Sequence, residues 1–241
     1  MPTYRGRVTG ELRYQRNVIR PGNFTARELR KLGGNDMSVS EERDTSPTVQ
    51  PAAAVAPVAD PAPLGLAAFA LTTFLLSAVN AHWTSGNSAG TAFLGYALAY
   101  GGIVQLLAGM WEFRNRNVFG ATAFSSYGAF WIGLFVWIRT APSATGHDLG
   151  WILLAFAIFN TYMLIMSAQI NLAVFGVFLT LELTEIFLAI GNFTDGGKGG
   201  LTQFGGYLGI ITAFVAWYTS AAGLANGLNG KLRFPVGRPL I

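Results

Sequence analysis

The sequence predicts an all-α membrane protein with six transmembrane helices. Of its 241 residues, 51% are hydrophobic and only 12% are charged, whereas soluble domains carry about 25% charged residues. Apolar stretches long enough to cross about 30 Å of hydrocarbon recur six times, and short polar segments separate them. Most of these stretches have no polar face, which excludes the amphipathic helices of a soluble helical protein.

The predicted spans cover residues 63–81, 92–113, 119–140, 149–168, 172–191 and 204–225. The chain is thereby divided into three regions. Residues 1–60 are expected to form a mostly disordered cytoplasmic tail, residues 61–226 the transmembrane domain, and residues 227–241 a short cytoplasmic tail at the C-terminus.

The distribution of basic residues predicts the orientation. The N-terminal tail, the second break and the C-terminal tail carry fourteen of the sixteen Lys and Arg residues, against Arg139 and Lys198 in the third and fifth breaks. Because cytoplasmic loops carry the excess of Lys and Arg, both termini are expected in the cytoplasm of a multi-pass plasma-membrane protein. Topology thus accounts for the net charge of +4, and the absence of a basic stripe interleaved with aromatic residues argues against nucleic acid as a partner.

Nothing in the spans suggests an enzyme. The chain has no cysteine, so it can hold neither a disulfide nor a thiolate metal site. His82 and His147 fall in predicted loops, and no nucleophile–base cluster or paired-histidine metal motif occurs. We therefore expect neither a metal nor a cofactor.

Several motifs carry a resemblance to a known family. Residues 60–66 read DPAPLGL, residues 100–105 YGGIVQ, residues 117–120 NVFG and residues 122–131 TAFSSYGAFW. In this order they resemble the signatures of the acetate uptake transporter family, which includes bacterial succinate-acetate permeases and fungal acetate transporters. The family's first motif begins with Asn, where this chain has Asp60.

The resemblance implies a homohexamer in the lipid bilayer, in which each six-helix protomer has its own path for acetate and related small carboxylates. Members are described both as proton symporters and as anion channels, and the sequence leaves both open. The family's narrow constriction of a Phe, a Tyr and a Leu aligns with Phe69, Tyr127 and Leu181. Ala216 aligns with a small residue along the same path.

Polar side chains near these positions are candidates for contact with a carboxylate. Thr72 and Thr73 follow Phe69 by three and four residues and are expected on its helix face, and Gln105 offers an amide in the second span. A small anion needs such donors, because an apolar ring alone imposes a large desolvation cost. Threonine hydroxyls in membranes also commonly bond to their own helix, so both roles stay open.

Two roles are open for the start of the first span: a well-capped helix start, or in addition the inner mouth of the path. Pro61 and Pro63 suit the first turn of a helix, where the missing N–H groups are not needed, and Asp60 can accept hydrogen bonds from the free amides. A helix N-terminus favours anions. The carboxylate of Asp60 would compete with a substrate for the same amides, so the sequence argues against direct anion binding at this point.

Glu182 and Glu185 lie near the middle of the fifth span, where related proteins typically have uncharged residues. An ionised carboxylate at this depth costs about 2.5–3.5 kcal/mol, so the two are expected to be protonated, paired or facing water. Glu185 shares the face of Leu181 and is expected on the path as a possible proton site, whereas Glu182 points about 100° away toward a neighbouring helix. Neutral, hydrogen-bonded glutamates at a helix or subunit interface are the alternative. Glu112 is expected to pair with Arg114 and Arg116.

The sequence therefore favours transport of acetate and related monocarboxylates, including succinate, either coupled to protons or through a channel. Two alternatives are a pore for a neutral solute such as ammonia or urea, and a membrane scaffold or sensor whose N-terminal tail is the active part.

Overall fold

The computed structural model describes residues 58–84, 93–228 and 230–241. These residues contain six helices that are long and apolar enough to span a membrane, and they contain no strand. The helices are α1 (Ala62–Asn80), α2 (Phe93–Arg114), α3 (Val118–Thr140), α4 (Gly146–Ser167), α5 (Leu172–Asp195) and α6 (Gly200–Gly227). The predicted fold class and number of spans are confirmed. The N-terminal tail predicted from residue 1 lies outside the described residues up to residue 57.

Three helix boundaries differ from the prediction by three or four residues, one of them the start of α6 at Gly200 instead of residue 204. α4 begins three residues early, since Thr145 forms a capping box: its N–H donates to the Asp148 carboxylate at 2.7 Å, and its hydroxyl accepts from the Asp148 N–H at 3.4 Å. α5 runs through the predicted break at residue 192, where the Asn192 amide donates to the Leu188 carbonyl at 2.8 Å. It ends at Gly196, whose φ of 68° is the left-handed conformation of a helix C-terminus.

A π-helical segment, Ala97–Val104, occupies the first half of α2. It contains Gly101, where an added Cβ would lie 2.5 Å from the Thr72 hydroxyl oxygen of α1. Only glycine therefore allows α1 and α2 to approach this closely, which is a common device in membrane helix packing.

The helices pack into a bundle in which α6 contacts both α1 and α5, α5 contacts α4, and α2 contacts α3. The largest buried apolar cluster lies where α1, α3, α5 and α6 meet, and it includes Phe69, Tyr127, Phe178, Leu181 and Ala216. The start of α1, the α2–α3 turn and the end of α6 lie at one end of the bundle, which we call the Pro61 end.

The residues after α6 pack against the Pro61 end of the bundle. Asn226 anchors this C-terminal segment, because its side chain donates to the Phe234 carbonyl at 2.9 Å and accepts from the Phe234 N–H at 3.0 Å. Farther along, the Val236 carbonyl accepts from the Ala173 N–H at 2.9 Å. The predicted C-terminal tail is thus a docked segment that forms hydrogen bonds to the end of α6 and to the start of α5.

Candidate functional site

Three cavities overlap in a row along the bundle. The first, the vestibule, has a volume of about 650 Å³ and lies at the Pro61 end. The second, the Gln105 cavity, holds about 20 Å³ and shares Leu66, Ala123, Phe124 and Phe178 with the vestibule. The third, the Glu185 cavity, holds about 40 Å³, which is room for two or three water molecules.

The Gln105 cavity and the Glu185 cavity meet at Phe69, Tyr127 and Leu181, which line both. The rings of Phe69 and Tyr127 stand edge to face, with centroids 5.7 Å apart and planes at 63°, a favourable aromatic geometry. Ala216 is fully buried in the same cluster. Three residues distant in sequence therefore come together between the two small cavities, and we call them the constriction.

Other aromatic side chains hold Tyr127 in place. The rings of Phe130, Phe156 and Phe159 lie with their centroids 6.5, 5.7 and 5.5 Å from that of Tyr127. The phenol oxygen lies 2.9 Å from Asn160 Oδ1 and 3.3 Å from Glu185 Oε1. The phenol is thus fixed by apolar contacts around the ring and by polar contacts at its tip.

Polar atoms without a protein partner line the two small cavities. Within the part of the chain that the structure describes, Gln105 Oε1, Thr73 Oγ1, Trp131 Nε1 and Glu185 Oε2 are buried and form no hydrogen bond. Gln105 lines the cavity named after it, and the other three line the Glu185 cavity. Buried polar atoms are nearly always hydrogen-bonded in native proteins, so a polar ligand or water can use these sites.

Thr72 differs from its neighbour Thr73. Its hydroxyl donates to the Ala68 carbonyl of its own helix at 3.0 Å, and it packs against Gly101 in the α1–α2 contact. Of the two roles left open for Thr72, the structure shows the bond to its own helix, and Thr72 lines none of the three cavities. The two threonines are 100° apart on α1, and only Thr73 points inward.

The two glutamates of α5 point to different neighbours. Glu185 lines its cavity, whereas Glu182 contacts α4, where it lies 2.7 Å from Asn160 Nδ2 and 2.8 Å from Thr161 Oγ1. Relative to Leu181, Glu185 is four residues on and shares its face of α5, whereas Glu182 is one residue on and lies about 100° away.

Sequence reasoning missed Asn160, which is fully buried and bonds to Tyr127, Glu182 and the Phe178 carbonyl. The signal available was an amide in the middle of an otherwise apolar span, where polar residues are rare and usually functional. The fourth span carries the weakest family resemblance, so no motif drew attention to it.

The start of α1 lines the vestibule. The helix begins at Ala62, with Pro61 before it and Pro63 in its first turn, and the Asp60 carboxylate accepts from the Ala62 N–H at 2.9 Å. Asp60 and Pro63 line the vestibule together with Arg116 of the α2–α3 turn. Asp60 thus occupies one of the free amides of the helix start. Asp60 and Arg116 give the vestibule one negative and one positive charge.

Glu112 corrects a prediction. It is fully buried, and among the described residues its carboxyl contacts the Asn115 amide at 3.4 Å rather than an arginine. An added Cβ at Gly120 would lie 2.7 Å from its Oε1. Glu112 therefore packs the end of α2 against the start of α3 instead of forming an interfacial ion pair.

In the described ranges no group of three or more His, Cys, Asp or Glu residues is arranged to hold a metal ion. The fold and the cavities define a multi-pass helical membrane protein with interior cavities that meet at an aromatic and aliphatic cluster. The GPR1/FUN34/yaaH family model matches residues 43–238, and the chain belongs to this family.

Two relatives and one solved structure illustrate the similarity. Ammonia transport outward protein 2 of Saccharomyces cerevisiae is 41% identical over 198 residues, which cover 77% of this chain and 69% of that protein. Acetate permease A of Emericella nidulans is 40% identical over 196 residues, with 74% and 65% covered. The structure of the bacterial acetate channel SatP aligns with a TM-score of 0.69 at 31% identity, covering 75% of this chain and 99% of that chain. These names describe transport proteins rather than enzymes, in agreement with the sequence prediction.

Proposed function

We propose that this protein moves acetate and related small monocarboxylates across the membrane along its row of cavities. The observation that carries the proposal is that two cavities meet at Phe69, Tyr127 and Leu181, with unpartnered polar atoms on both sides. The names of two similar proteins, an acetate permease and an acetate channel, support the substrate class.

The side chains around the constriction suit a small carboxylate. The apolar rings and Leu181 exclude bulk water, which makes the passage of a bare anion costly. The Thr73 hydroxyl and the Trp131 N–H can donate to a carboxylate and replace part of the lost hydration, whereas Gln105 Oε1 can accept from a protonated acid. A small acid therefore finds a hydrogen-bond acceptor on one side of the constriction and donors on the other.

Glu185 makes the path sensitive to pH. In its ionised form it repels a carboxylate in the cavity it lines, and in its protonated form it can donate a hydrogen bond to one. At 4 Å and an effective dielectric constant of 20, the repulsion between two unit charges is about 4 kcal/mol. Acidic pH therefore favours flux, and proton-coupled transport follows if the proton travels with the substrate.

The assembly and location also belong to the proposal. Both termini lie in the cytoplasm of a plasma-membrane protein, as the uneven distribution of Lys and Arg suggests. Large exposed apolar side chains on α4, such as Trp151, Ile158 and Ile165, suit contact with lipid or a neighbouring protomer. The protomers form a hexamer with one path each. Native mass spectrometry of the protein in detergent tests this directly, because it measures the mass of the assembly.

The decisive experiment measures radiolabelled acetate uptake into proteoliposomes, with and without an imposed proton gradient, against protein-free liposomes. Uptake that the gradient drives uphill identifies a symporter, and gradient-independent uptake identifies a channel. No uptake above the protein-free control overturns the proposal and favours the scaffold or sensor.

Ammonia is the second candidate, because one relative at 41% identity is named as an ammonia transport protein. A neutral molecule of that size passes an apolar constriction without the cost of desolvating a charge. An ammonia pulse applied to the same vesicles, followed with an internal pH dye, separates the two. If the protein speeds internal alkalinisation over protein-free vesicles but takes up no acetate, ammonia is the substrate instead of acetate.

A further inference from the structure

The contacts of Asn160 fix which of its amide atoms faces Tyr127. The Phe178 carbonyl lies 2.9 Å from one amide atom and can only accept a hydrogen bond, so that atom is Nδ2. Nδ2 also lies 2.7 Å from the Glu182 carboxyl. Both of its hydrogens are thus used, and Oδ1 is the atom that faces the phenol.

This orientation determines the direction of the Tyr127 hydroxyl. Oδ1 can only accept, so the 2.9 Å contact with the phenol requires the phenolic hydrogen. A phenol has one hydrogen, and none is then left for Glu185 Oε1 at 3.3 Å. A hydrogen bond across that contact then needs the hydrogen of Glu185, which donates only when it is protonated.

We propose that Asn160 is a positioning residue: it takes the Tyr127 hydrogen bond and thereby makes protonated Glu185 the hydrogen-bond donor at the constriction. Glu182 in turn holds Asn160 in this orientation from α5. The inference rests on the proposed function in so far as a carboxylate passes the constriction, and it assigns the protonation state that such a substrate meets.

The surroundings of Glu185 favour the protonated form. The titratable groups that face it are Tyr127 from α3 and Glu182 from its own helix, and neither carries a positive charge. Uncharged residues of α1 and α4 also line the cavity: Phe69, Thr73, Leu76, Ser77 and Leu153. Thr212 of α6 contacts the hydroxyl of Thr184, a cavity residue of α5. No Lys, Arg or His among the described residues lines the cavity, so no cation stabilises the ionised carboxylate.

The proton of Glu185 can be observed without transport. In the infrared spectrum of the full chain in lipid bilayers, a protonated carboxylic acid has its own C=O stretching band. We expect this band at neutral pH in the wild type and its loss or weakening in Glu185→Gln. A wild-type spectrum in which Glu185→Gln changes nothing in this band shows an ionised Glu185 and overturns the proposal.

The role of Asn160 is tested with Asn160→Leu, which frees the Tyr127 hydroxyl to donate to ionised Glu185. A hydrogen bond to a charged group then lowers, by about one to two pH units, the pH at which both the band and acetate uptake are half lost. Ser167→Ala is the matched control, because Ser167 is also a fully buried polar residue of α4 but its hydroxyl donates to the Leu164 carbonyl of its own helix; it should leave this midpoint close to the wild-type value.

A second variant covers the case in which Asn160→Leu fails to fold. Tyr127→Phe keeps the ring and removes only the hydroxyl, which accepts from Glu185 in this arrangement. Its loss should lower the midpoint, because only the protonated form of Glu185 loses a partner. A higher midpoint means that Tyr127 donates to Glu185 in the wild type, and it overturns the proposal. The infrared band can be recorded without substrate. If the protein moves no acetate, the proposed function is refuted, but the band still tests the role of Asn160.

Discussion

Replacing Leu181 by alanine tests the constriction. Leu181 is buried against Phe69, Tyr127 and Ala216, and truncation of a buried leucine typically costs 2–5 kcal/mol of stability. Leu181 already borders a cavity on each side, so fewer packing contacts are lost and we expect about 2–3 kcal/mol. A pocket distinguishes ligands that differ by about one methylene by a factor of roughly 10 or more. The wider opening should therefore raise lactate uptake relative to acetate about tenfold.

The assay is uptake of radiolabelled acetate and lactate by the same proteoliposomes, so that protein amount cancels from the ratio. Leu134→Ala is the matched control: Leu134 is buried to a similar extent, 4% exposed against 6%, but belongs to a separate cluster with Phe93 and Trp131. The control should lose stability and keep the wild-type ratio. An unchanged ratio in folded Leu181→Ala, or an equal rise in both variants, refutes the assignment of the constriction.

Three further predictions concern packing and the vestibule. Gly101→Ala should lower the melting temperature by several degrees because its Cβ meets α1, whereas Gly133→Ala, where no atom lies within 4 Å, should not; thermal denaturation in detergent compares them. Asn226→Ala removes both bonds to Phe234, at about 0.5–1.5 kcal/mol each, and should make the C-terminal segment sensitive to limited proteolysis while the helices stay intact. Asp60→Asn keeps an acceptor for the Ala62 amide and removes a negative charge from the vestibule, so the KM for acetate should fall two- to fivefold at low salt. The difference in KM should shrink at high salt, because salt screens the charge. An identical KM of the two proteins at low salt contradicts this prediction.

The spans were predictable because hydropathy and length dominate membrane insertion. All six predicted spans correspond to helices, and the capping box of Thr145 accounts for the earlier start of α4. The π-helical segment in α2 has no comparable signal, because its extra residue per turn depends on contacts with α1 through Gly101. Sequence patterns report local preference, whereas such contacts depend on tertiary packing.

The candidate site was predictable in part. Motif resemblance selected Phe69, Tyr127 and Leu181, and helical periodicity separated Glu185 from Glu182. Periodicity did not separate Thr72 from Thr73, since both lie within the arc that follows Phe69 and the direction of the α1–α2 contact decides which one faces inward. Asn160 escaped because its importance lies in three partners on α3 and α5, and no spacing within α4 encodes them.

The amide of Asn160 has a consequence for proton conduction. It connects Tyr127 to Glu182 by hydrogen bonds, yet an amide passes no proton from its oxygen to its nitrogen without becoming an imidic acid. Glu182 and Glu185 therefore feel each other's charge but exchange no proton through this connection. Glu185 is left to gain and lose its proton through the cavity that it lines, the same space that a passing acid would occupy.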